Sequence, residues 1–383
     1  MDHAAELGRI RRQRCEATLR GEATDRAPAY LTAMACGVAS QLLGRPAVTG
    51  TGSVRYAEVA AWADGEAAHA EFEERLLADL ADLQRLLDIE FMRMPWRMNE
   101  RPDARLDEFT FRFGPEDGEH SIWQYHPATA DFSAVRQVRL ISPEERLRNE
   151  VIAMEKIAAD PMPAARAAIA SAVDLHRRFG REFYVCSAGA GIGVGFEPDE
   201  LETLVTAPGW VKTKTLLQAE FAIAIGRAVL EAGLPPVMAG GGDLAGTAGP
   251  IYSPAMFRAL VLPAYVRAVG ELNRMGIHYY FRSDGNLGPL LDMLFGEAAC
   301  PGYGETDRDA AMTVAAVRAK FPRVVIYGNV SSQLLMHGSV EEVRQQARAT
   351  IEEAGHRGYF QGCSNAVVLG TSPEKVRVMY GER

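Results

Sequence analysis

The sequence predicts an α/β fold of the (β/α)8 TIM-barrel type, with a helical extension at the N-terminus and a β-hairpin insertion. Eight short apolar segments alternate with helical segments along the chain. From residue 183 onward, the order of strand, polar or glycine-rich loop and helix repeats without interruption. Several predicted strands end in polar residues, which would meet at one edge of a parallel barrel. A doubly wound open sheet is the alternative, and the chain lacks the nucleotide-binding motif typical of that fold.

The composition is that of a globular protein, with 48% hydrophobic and 24% charged residues among 383 and a formal net charge of −9. The length fits one barrel domain over residues 1–383. The sequence has no Lys/Arg-rich run of the kind that indicates a nucleic-acid partner. It also has no apolar stretch long enough to predict a membrane span. Residues 1–6 do not resemble a leader peptide, so a cytoplasmic location is expected. The five cysteines show no CxxC spacing, which argues against disulfides and a structural zinc site.

The strands are predicted from short β-branched and aromatic runs that end at glycine, proline or a polar residue. The helices are predicted from longer segments, two of which begin with the capping-box spacing, at Ser142 and Ser339. Glycines and prolines make residues 33–65 look irregular, and two alternating segments joined by a glycine-containing turn predict a hairpin at about 108–127. The strands are predicted at 29–32, 89–95, 183–187, 236–239, 277–281, 298–301, 323–327 and 358–361. The helices are predicted at 4–21, 66–87, 142–159, 163–179, 199–206, 210–232, 254–274 and 339–355.

The glycine-rich segment 189–195 follows predicted strand three. Glycines between a strand and a helix can cradle a phosphate, but no three of these fit the G-x-G-x-x-G spacing, and the next helix starts late. The segment is therefore interpreted as a flexible loop over the mouth of the barrel rather than a nicotinamide site.

The candidate catalytic residues are Asp243, Asp284 and Arg282, at the ends of predicted strands four and five. The two acids could exchange protons with a substrate or hold a divalent ion, and Arg282 could bind a carboxylate or phosphate through its planar guanidinium. Asp284, Cys363 and Glu305 form a candidate metal site, which lacks the histidine usual in zinc sites and is disfavoured by the nearby arginine. The candidate substrate-binding residues are Arg282, Asn286, Tyr303 and Asn329.

Several motifs lie in residues 19–28, 240–246, 252–257, 283–286, 327–330 and 359–363. They resemble those of the uroporphyrinogen decarboxylase superfamily, which includes the decarboxylase and methyltransferases that use corrinoid, thiol or folate partners. The resemblance implies a barrel with its site at the carboxyl face, and it adds Asp88 as a candidate substrate-binding residue. The loop matching the arginine-rich loop of the decarboxylase, residues 32–38, has no arginine, which favours the methyltransferase branch.

In zinc-dependent methyltransferases of this superfamily, the strand-five motif is His-x-Cys and a second cysteine ends strand eight. Here Arg282 replaces the histidine, Asp284 replaces the first cysteine, and Cys363 matches the last ligand. Two of the three ligands are changed, which disfavours zinc bound in the manner of the family. A zinc site is kept as an alternative.

The resemblance leads to the hypothesis of a methyltransferase or demethylase that moves a methyl group from a small donor to cobalamin or tetrahydrofolate. The chain lacks an Asp-x-His-x-x-Gly cobalamin motif, so a corrinoid protein is the expected partner, and a homodimer is expected on general grounds. Two alternatives stay open: a decarboxylase of a small carboxylate or a porphyrinogen-like substrate, and a binding protein without catalytic activity.

Overall fold

The structure is a computed structural model that describes residues 3–186 and 188–383, without the side chains of residues 3–5 and 188. The helices are α1 (His3–Leu19), α2 (Cys36–Leu43), α3 (Thr51–Asp64), α4 (Glu66–Leu87), α5 (Pro143–Ala159), α6 (Met162–Ala168), α7 (Ala170–Phe179), α8 (Pro198–Thr206), α9 (Pro208–Glu231), α10 (Pro254–Leu260), α11 (Leu262–Arg274), α12 (Val314–Lys320), α13 (Ser332–His337), α14 (Val340–Ala354) and α15 (Pro373–Gly381). Short 3-10 turns lie at Gly288–Leu290 and Arg308–Ala310, and a π-helical turn lies at Asp292–Glu297.

The strands are β1 (Ala33–Met34), β2 (Phe91–Met92), β3 (Ala104–Arg105), β4 (Thr110–Phe113), β5 (His120–His126), β6 (Asp131–Val138), β7 (Tyr184–Val185), β8 (Ala188–Ala190), β9 (Val237–Gly241), β10 (Ala245–Gly246), β11 (Gly249–Pro250), β12 (His278–Arg282), β13 (Gly302–Gly304), β14 (Val325–Val330), β15 (Tyr359–Cys363) and β16 (Ala366–Val367). None of the helices in the described ranges is both long and apolar enough to cross a membrane.

The main sheet has six parallel strands in the order β15-β14-β13-β12-β9-β8. A separate parallel pair is formed by β2 and β7, and single parallel bridges join Tyr30 to Phe91 and Ala29 to Gln361. Strands β7 and β8 are consecutive in the chain, and Ser187 between them lies outside the described residues. The described residues thus form an α/β fold with several parallel sheets, and their strands do not join into one closed sheet.

Aromatic side chains from five of these parallel segments pack against one another in the interior. The Tyr327 ring stacks on Tyr280 at 4.3 Å and on Phe360 at 4.5 Å between centroids, and Tyr30 meets Tyr327 at 5.4 Å. Phe91 lies 5.2 Å from Phe360. All five rings are buried, and such contacts stabilise a core beyond the burial of apolar area. The aromatic core brings the segments around residues 30, 91, 280, 327 and 360 together.

An antiparallel sheet in the order β3-β4-β5-β6 occupies the region where a hairpin is predicted, and it has two more strands than the prediction. The sheet packs against α3: the Tyr56 ring stacks on Tyr125 at 4.2 Å, and the Ser53 and Tyr125 hydroxyl oxygens are 3.0 Å apart. Because α3 also borders the cavity described below, this packing places the start of β6, at Asp131, beside the candidate site.

Several predicted boundaries are wrong. Residues 33–65 contain α2 and α3, whose tertiary packing overrides their glycines. Strand six is β13 rather than residues 298–301, because Ala298 ends a π-helical turn and Ala299 has a φ of 54°. Residues 189 and 190, predicted as part of a flexible loop over 189–195, belong to β8 and pair with β9. The helices predicted at 163–179 and 254–274 each consist of two helices, broken near Ile169 and Val261.

Candidate active site

The loop that carries Asp243 is fixed to the end of β12. The Gly242 amide donates to the Arg282 carbonyl at 3.0 Å, and the Leu244 amide donates to the Ser283 hydroxyl at 3.1 Å. Gly241 has a φ of 101°, and a Cβ there would lie 2.2 Å from the Arg282 carbonyl oxygen, so only glycine allows this close approach. The Asp243 side chain makes no hydrogen bond or ion pair within residues 3–186 and 188–383, which leaves its carboxyl group available to a ligand.

Arg282 forms an ion pair with Glu305, which directly follows β13. Both side chains are largely buried, with 18% and 9% of their areas exposed. Burial alone would lower the pKa of Arg282, but the Glu305 carboxylate outweighs it and the pKa lies above its ordinary value. Glu305 has a φ of 61°, a conformation that costs a non-glycine residue free energy and is common at functional sites. Arg282 is therefore a paired cation rather than a free anion-binding group.

Asp284 also lies at this edge, one residue beyond Ser283. Its Oδ2 accepts a hydrogen bond of 2.7 Å from the Asn365 side-chain amide, in the loop after β15. The following Gly285 amide is 3.3 Å from the Asp307 carboxylate. Residues from the ends of β12, β13 and β15 thus meet here, as expected for neighbouring parallel strands.

The pKa values of Asp243 and Asp284 are both raised above the ordinary range. Partial burial is the largest cause for each, because withdrawal from water disfavours the charged form. The Glu305 carboxylate raises the pKa of Asp243 further, and the charges of Asp243 and Glu305 do the same for Asp284. Arg282 and Asn365 act in the opposite direction, on Asp243 and Asp284 respectively, without reversing the shift. Both acids hold a proton more readily than carboxyl groups in water, so they are suited to proton transfer.

A two-lobed cavity opens beside these residues. The first lobe has a volume of about 430 Å³ and the second about 360 Å³, each in the range of small-molecule sites. Asp284 and Asn365 line only the second lobe. The residues that line both lobes are Arg93, Trp96, Asp243, Arg282 and Glu305.

Three cavity residues were not found by sequence reasoning. Arg93 directly follows β2. The predicted residues Asp243, Asp284 and Glu305 follow other strands in the same way. The position of Arg93 at a strand end was therefore the signal that could have identified it as a cavity residue. Trp96 lies three residues further on, with 70% of its area exposed. Arg55 lies on α3, within a segment predicted to be irregular, and it lines the second lobe with its Nη2 3.9 Å from Asp131. The site is richer in arginine than the sequence suggested.

Other predicted substrate-binding residues do not line either lobe. Asp88 ends α4 and accepts hydrogen bonds from Arg11 and Arg26, near the amino end of β2 rather than its carboxyl end. The Asn329 amide is fully buried and donates at 2.8 Å to the carbonyls of Thr306 and Met312. Asn329 therefore supports the loop after β13.

Tyr303 and Asn286 are also absent from both cavity linings. Tyr303 is fully buried on β13, and its ring packs against Phe295 at 5.1 Å between centroids. The Asn286 side-chain oxygen accepts a hydrogen bond of 2.9 Å from the Gly288 amide, which begins a 3-10 turn. Both residues shape the loops around the site, and neither is placed to contact a ligand in the cavity.

The predicted metal ligands are not brought together. Cys363 is buried in an apolar cluster, its sulfur lies 3.6 Å from the Ala366 carbonyl oxygen, and burial raises its pKa to about 12. Glu305 is paired with Arg282, and Asp284 with Asn365. In the described ranges, no group of three or more His, Cys, Asp or Glu side chains is placed to hold a metal ion. A thiol that resists ionisation is a poor zinc ligand, so these residues do not fit the metal.

Comparison with known proteins agrees with the sequence resemblance. Residues 215–382 match the family described as Uroporphyrinogen decarboxylase (URO-D). Among solved structures, a methyltransferase from Methanosarcina mazei has the same overall fold, with a TM-score of 0.63 and 16% sequence identity over 97% of each chain. No curated protein matches the sequence. Residues 215–382 are thus similar to this family, in agreement with the resemblance of the motifs.

Proposed function

We propose that this protein is an enzyme of the methyltransferase type, which takes a methyl group from a small donor and passes it to cobalamin or tetrahydrofolate. The observation that carries the proposal is the position of Asp243, an acid with a raised pKa that lines both lobes of one cavity. Two lobes that meet at an acid suit a transfer between two molecules. The family match and the fold shared with a methyltransferase support the same type of enzyme.

The chemistry requires a proton at the donor. When the methyl group leaves a donor oxygen, nitrogen or sulfur, that atom keeps the bonding electron pair and becomes basic. Protonated Asp243 supplies the proton, so the donor leaves as a neutral group and Asp243 becomes a carboxylate. Arg282 stabilises that new charge, because its charge already lowers the pKa of Asp243. Asp284, held by Asn365, is positioned to return a proton to the site.

The acceptor, when bound, takes the methyl group. Each lobe has the volume of a small-molecule site, which suits a donor or part of a folate but not a whole corrinoid. Cobalamin would therefore be presented at the cavity mouth by a partner, and a corrinoid protein is the proposed partner. Zinc has no part in this scheme, since Cys363, Asp284 and Glu305 are not arranged to bind it.

We also propose that the parallel strands form one (β/α)8 barrel. The bridges at Ala29 and Tyr30 connect β15 to β2, and β2 pairs with β7. If β7 and β8 are two parts of one strand, this pairing runs through eight segments and returns to its start. The shared aromatic core supports this arrangement, since it draws side chains from opposite parts of the ring.

Decarboxylation of a small carboxylate is the second candidate function. Arg93 favours it, because it lines both lobes and forms no ion pair with any carboxylate in the described ranges, so it could hold the carboxylate of a substrate. Loss of CO2 leaves an electron pair on carbon, and a protonated Asp243 could donate to it.

The test is to incubate the full chain with O-, N- and S-methylated donors and either reduced cobalamin or tetrahydrofolate. Methylated acceptor, demethylated donor and released CO2 are measured together. Asp243→Asn, which keeps the shape of the side chain, should lower methyl transfer by about 10²- to 10⁴-fold. Asp117→Asn, at an exposed position in the β4–β5 turn, serves as the matched control.

Wild-type turnover in Asp243→Asn would contradict the role of this acid. Release of CO2 with no methylated acceptor would favour the second candidate. The unfolding midpoint of Asp243→Asn should be no lower than that of the wild type, since Asp243 makes no hydrogen bond in the described ranges that the variant could lose.

A further inference from the structure

We propose that the first lobe selects a flat anion: Arg93 binds the carboxylate, and Trp96 with a wall of glycine backbone accommodates a planar ring. This deepens the proposed function and rests on it for the role of the bound molecule, which would be a methyl-bearing aromatic carboxylate. The binding preference itself depends only on the residues that line the lobe.

Arg93 is the group that recognises the anion. Its only polar contact with the described part of the chain is a hydrogen bond of 3.4 Å from Nη1 to the Tyr30 hydroxyl. The other arginines of the cavity differ from it, because Arg282 is paired with Glu305 and Arg55 lies 3.9 Å from Asp131. A guanidinium offers donors in a fork that matches a carboxylate, so Arg93 is equipped for such a partner.

The charges in the first lobe favour an anion over a cation. Arg282 and Glu305 compensate each other's charge, and the raised pKa of Asp243 makes its carboxyl group harder to ionise. Of the two arginines that line the first lobe, Arg93 is the one that forms no ion pair with a described residue. A carboxylate is attracted by it, whereas a quaternary or primary ammonium group is repelled.

The walls of the lobe suit a flat body. The Trp96 ring is 70% exposed and lines the lobe, so one of its faces is available for stacking. A Cβ added at Gly189 or Gly242 would meet no atom within 4 Å, which shows that open space lies above these residues. Glycine backbone presents a surface without side chains, along which a planar ring can lie. The glycines in the lining are Gly189, Gly191, Gly240, Gly241 and Gly242.

The first experiment measures ligand affinity by calorimetry on the full chain, with no methyl acceptor present. The probes are benzoate, benzamide, benzylamine and cyclohexanecarboxylate, which vary charge and planarity one at a time. Benzoate should bind at least about tenfold tighter than benzamide, because the hydrogen bonds to Arg93 are charge-assisted. Benzylamine should show no binding, and cyclohexanecarboxylate should bind more weakly than benzoate because it cannot stack.

Two variants assign these preferences to residues. Arg93→Gln should remove the preference for benzoate over benzamide, and Trp96→Leu should remove the preference for benzoate over cyclohexanecarboxylate. A further variant, Gly242→Leu, places a side chain in the open space and should abolish benzoate binding. Its control is Gly209→Leu, because Gly209 has similar free space near the start of α9 and does not line the cavity.

Equal affinities for benzoate and benzamide, or unchanged benzoate affinity in Arg93→Gln, would overturn the inference. The outcome is independent of the proposed function. Selective benzoate binding without methyl transfer from any donor rejects methyl transfer and keeps the flat-anion site. Methyl transfer from neutral or non-planar donors, without benzoate binding, rejects the flat-anion site alone.

Discussion

The two ends of strand β2 use charge in opposite ways. At its amino end, Glu90 is fully buried and accepts hydrogen bonds from Arg14, Arg26 and Arg383 at 2.8 to 2.9 Å, and from the Ala29 amide at 2.7 Å. This group of residues, with Asp88 and Arg11, is called the amino-end cluster.

At the carboxyl end of the same strand, the charges are less completely paired. Arg93 has a single hydrogen bond of 3.4 Å, and Asp243 has no hydrogen-bonding partner in residues 3–186 and 188–383. Among the residues that line both lobes of the cavity, Arg282 and Glu305 form an ion pair with each other. Pairing at the amino end stabilises the fold, and it ties the last residue, Arg383, to the N-terminal helix through Glu90. Incomplete pairing at the carboxyl end leaves charged groups available to a ligand. The presence of an arginine at a strand end does not by itself show whether that arginine is paired.

Glu90→Gln should disrupt the amino-end cluster and cause the largest loss of stability among the variants considered below. The substitution removes the buried charge of Glu90 from Arg14 and Arg383, whose side chains are 7% and 5% exposed, and leaves them only the more exposed partners Asp25 and Asp88 among the described residues. The free energy of unfolding should fall by ~4 kcal/mol, measured by urea denaturation. Glu22→Gln, at an exposed pair with Arg20, should cause no measurable change. A stability close to wild type in Glu90→Gln would show that the cluster is not structural.

Arg282→Gln should have the next largest effect, because Arg282 belongs to the paired part of the carboxyl end. Its loss leaves Glu305 buried with no compensating charge in the described ranges. We expect a loss of ~3 kcal/mol in the same denaturation experiment. The double variant Arg282→Gln/Glu305→Gln should recover part of this loss. A double variant less stable than either single variant would contradict the pairing.

Cys363→Ala should have the smallest effect. The substitution removes one buried heavy atom from an apolar cluster, which corresponds to about 1 kcal/mol of stability. Benzoate affinity and turnover should stay at wild-type values, because Cys363 does not line the cavity. A loss of turnover far larger than the loss of folded protein would show that Cys363 has a role in the active site.

The sequence predicted most of the secondary structure that positions the site, because long apolar runs and capping boxes are local signals. Ser142 and Ser339 each cap a helix at the predicted place, and α4 has the predicted bounds. Helices α2 and α3 were missed, since their stability depends on packing with distant segments, such as α15 for α2 and β6 for α3. For the same reason Arg55 could not be identified as a cavity residue.

For the candidate site, the sequence located the strand ends but not the direction or pairing of their side chains. Asp243, Arg282, Asp284 and Glu305 do line the cavity. Asn329 follows the same sequence pattern, yet its amide is used within the fold. Whether a polar residue faces the ligand or a neighbouring loop depends on contacts between segments far apart in sequence.

The most direct test of the difference between the two ends of β2 is the free energy of unfolding as a function of pH. It is measured for wild type, Asp88→Asn and Asp243→Asn. Burial opposes the ionised form of Asp88, but its hydrogen bonds with Arg11 and Arg26 and the charge of Arg383 lower its pKa below the ordinary 3.8. Asp88 therefore stabilises the fold above pH 3.8, and this contribution is lost as pH falls through the lowered pKa.

The pKa of Asp243 is shifted in the opposite direction to that of Asp88. Burial and the charge of Glu305 raise it above 3.8, against the effect of Arg282. Its contribution is present at low pH and is lost as pH rises above 3.8 through the raised pKa, with Asp284 titrating beside it. Relative to wild type, Asp88→Asn should therefore lose stability at neutral pH, whereas Asp243→Asn should gain it. Difference curves with the same sign for both variants would contradict the account.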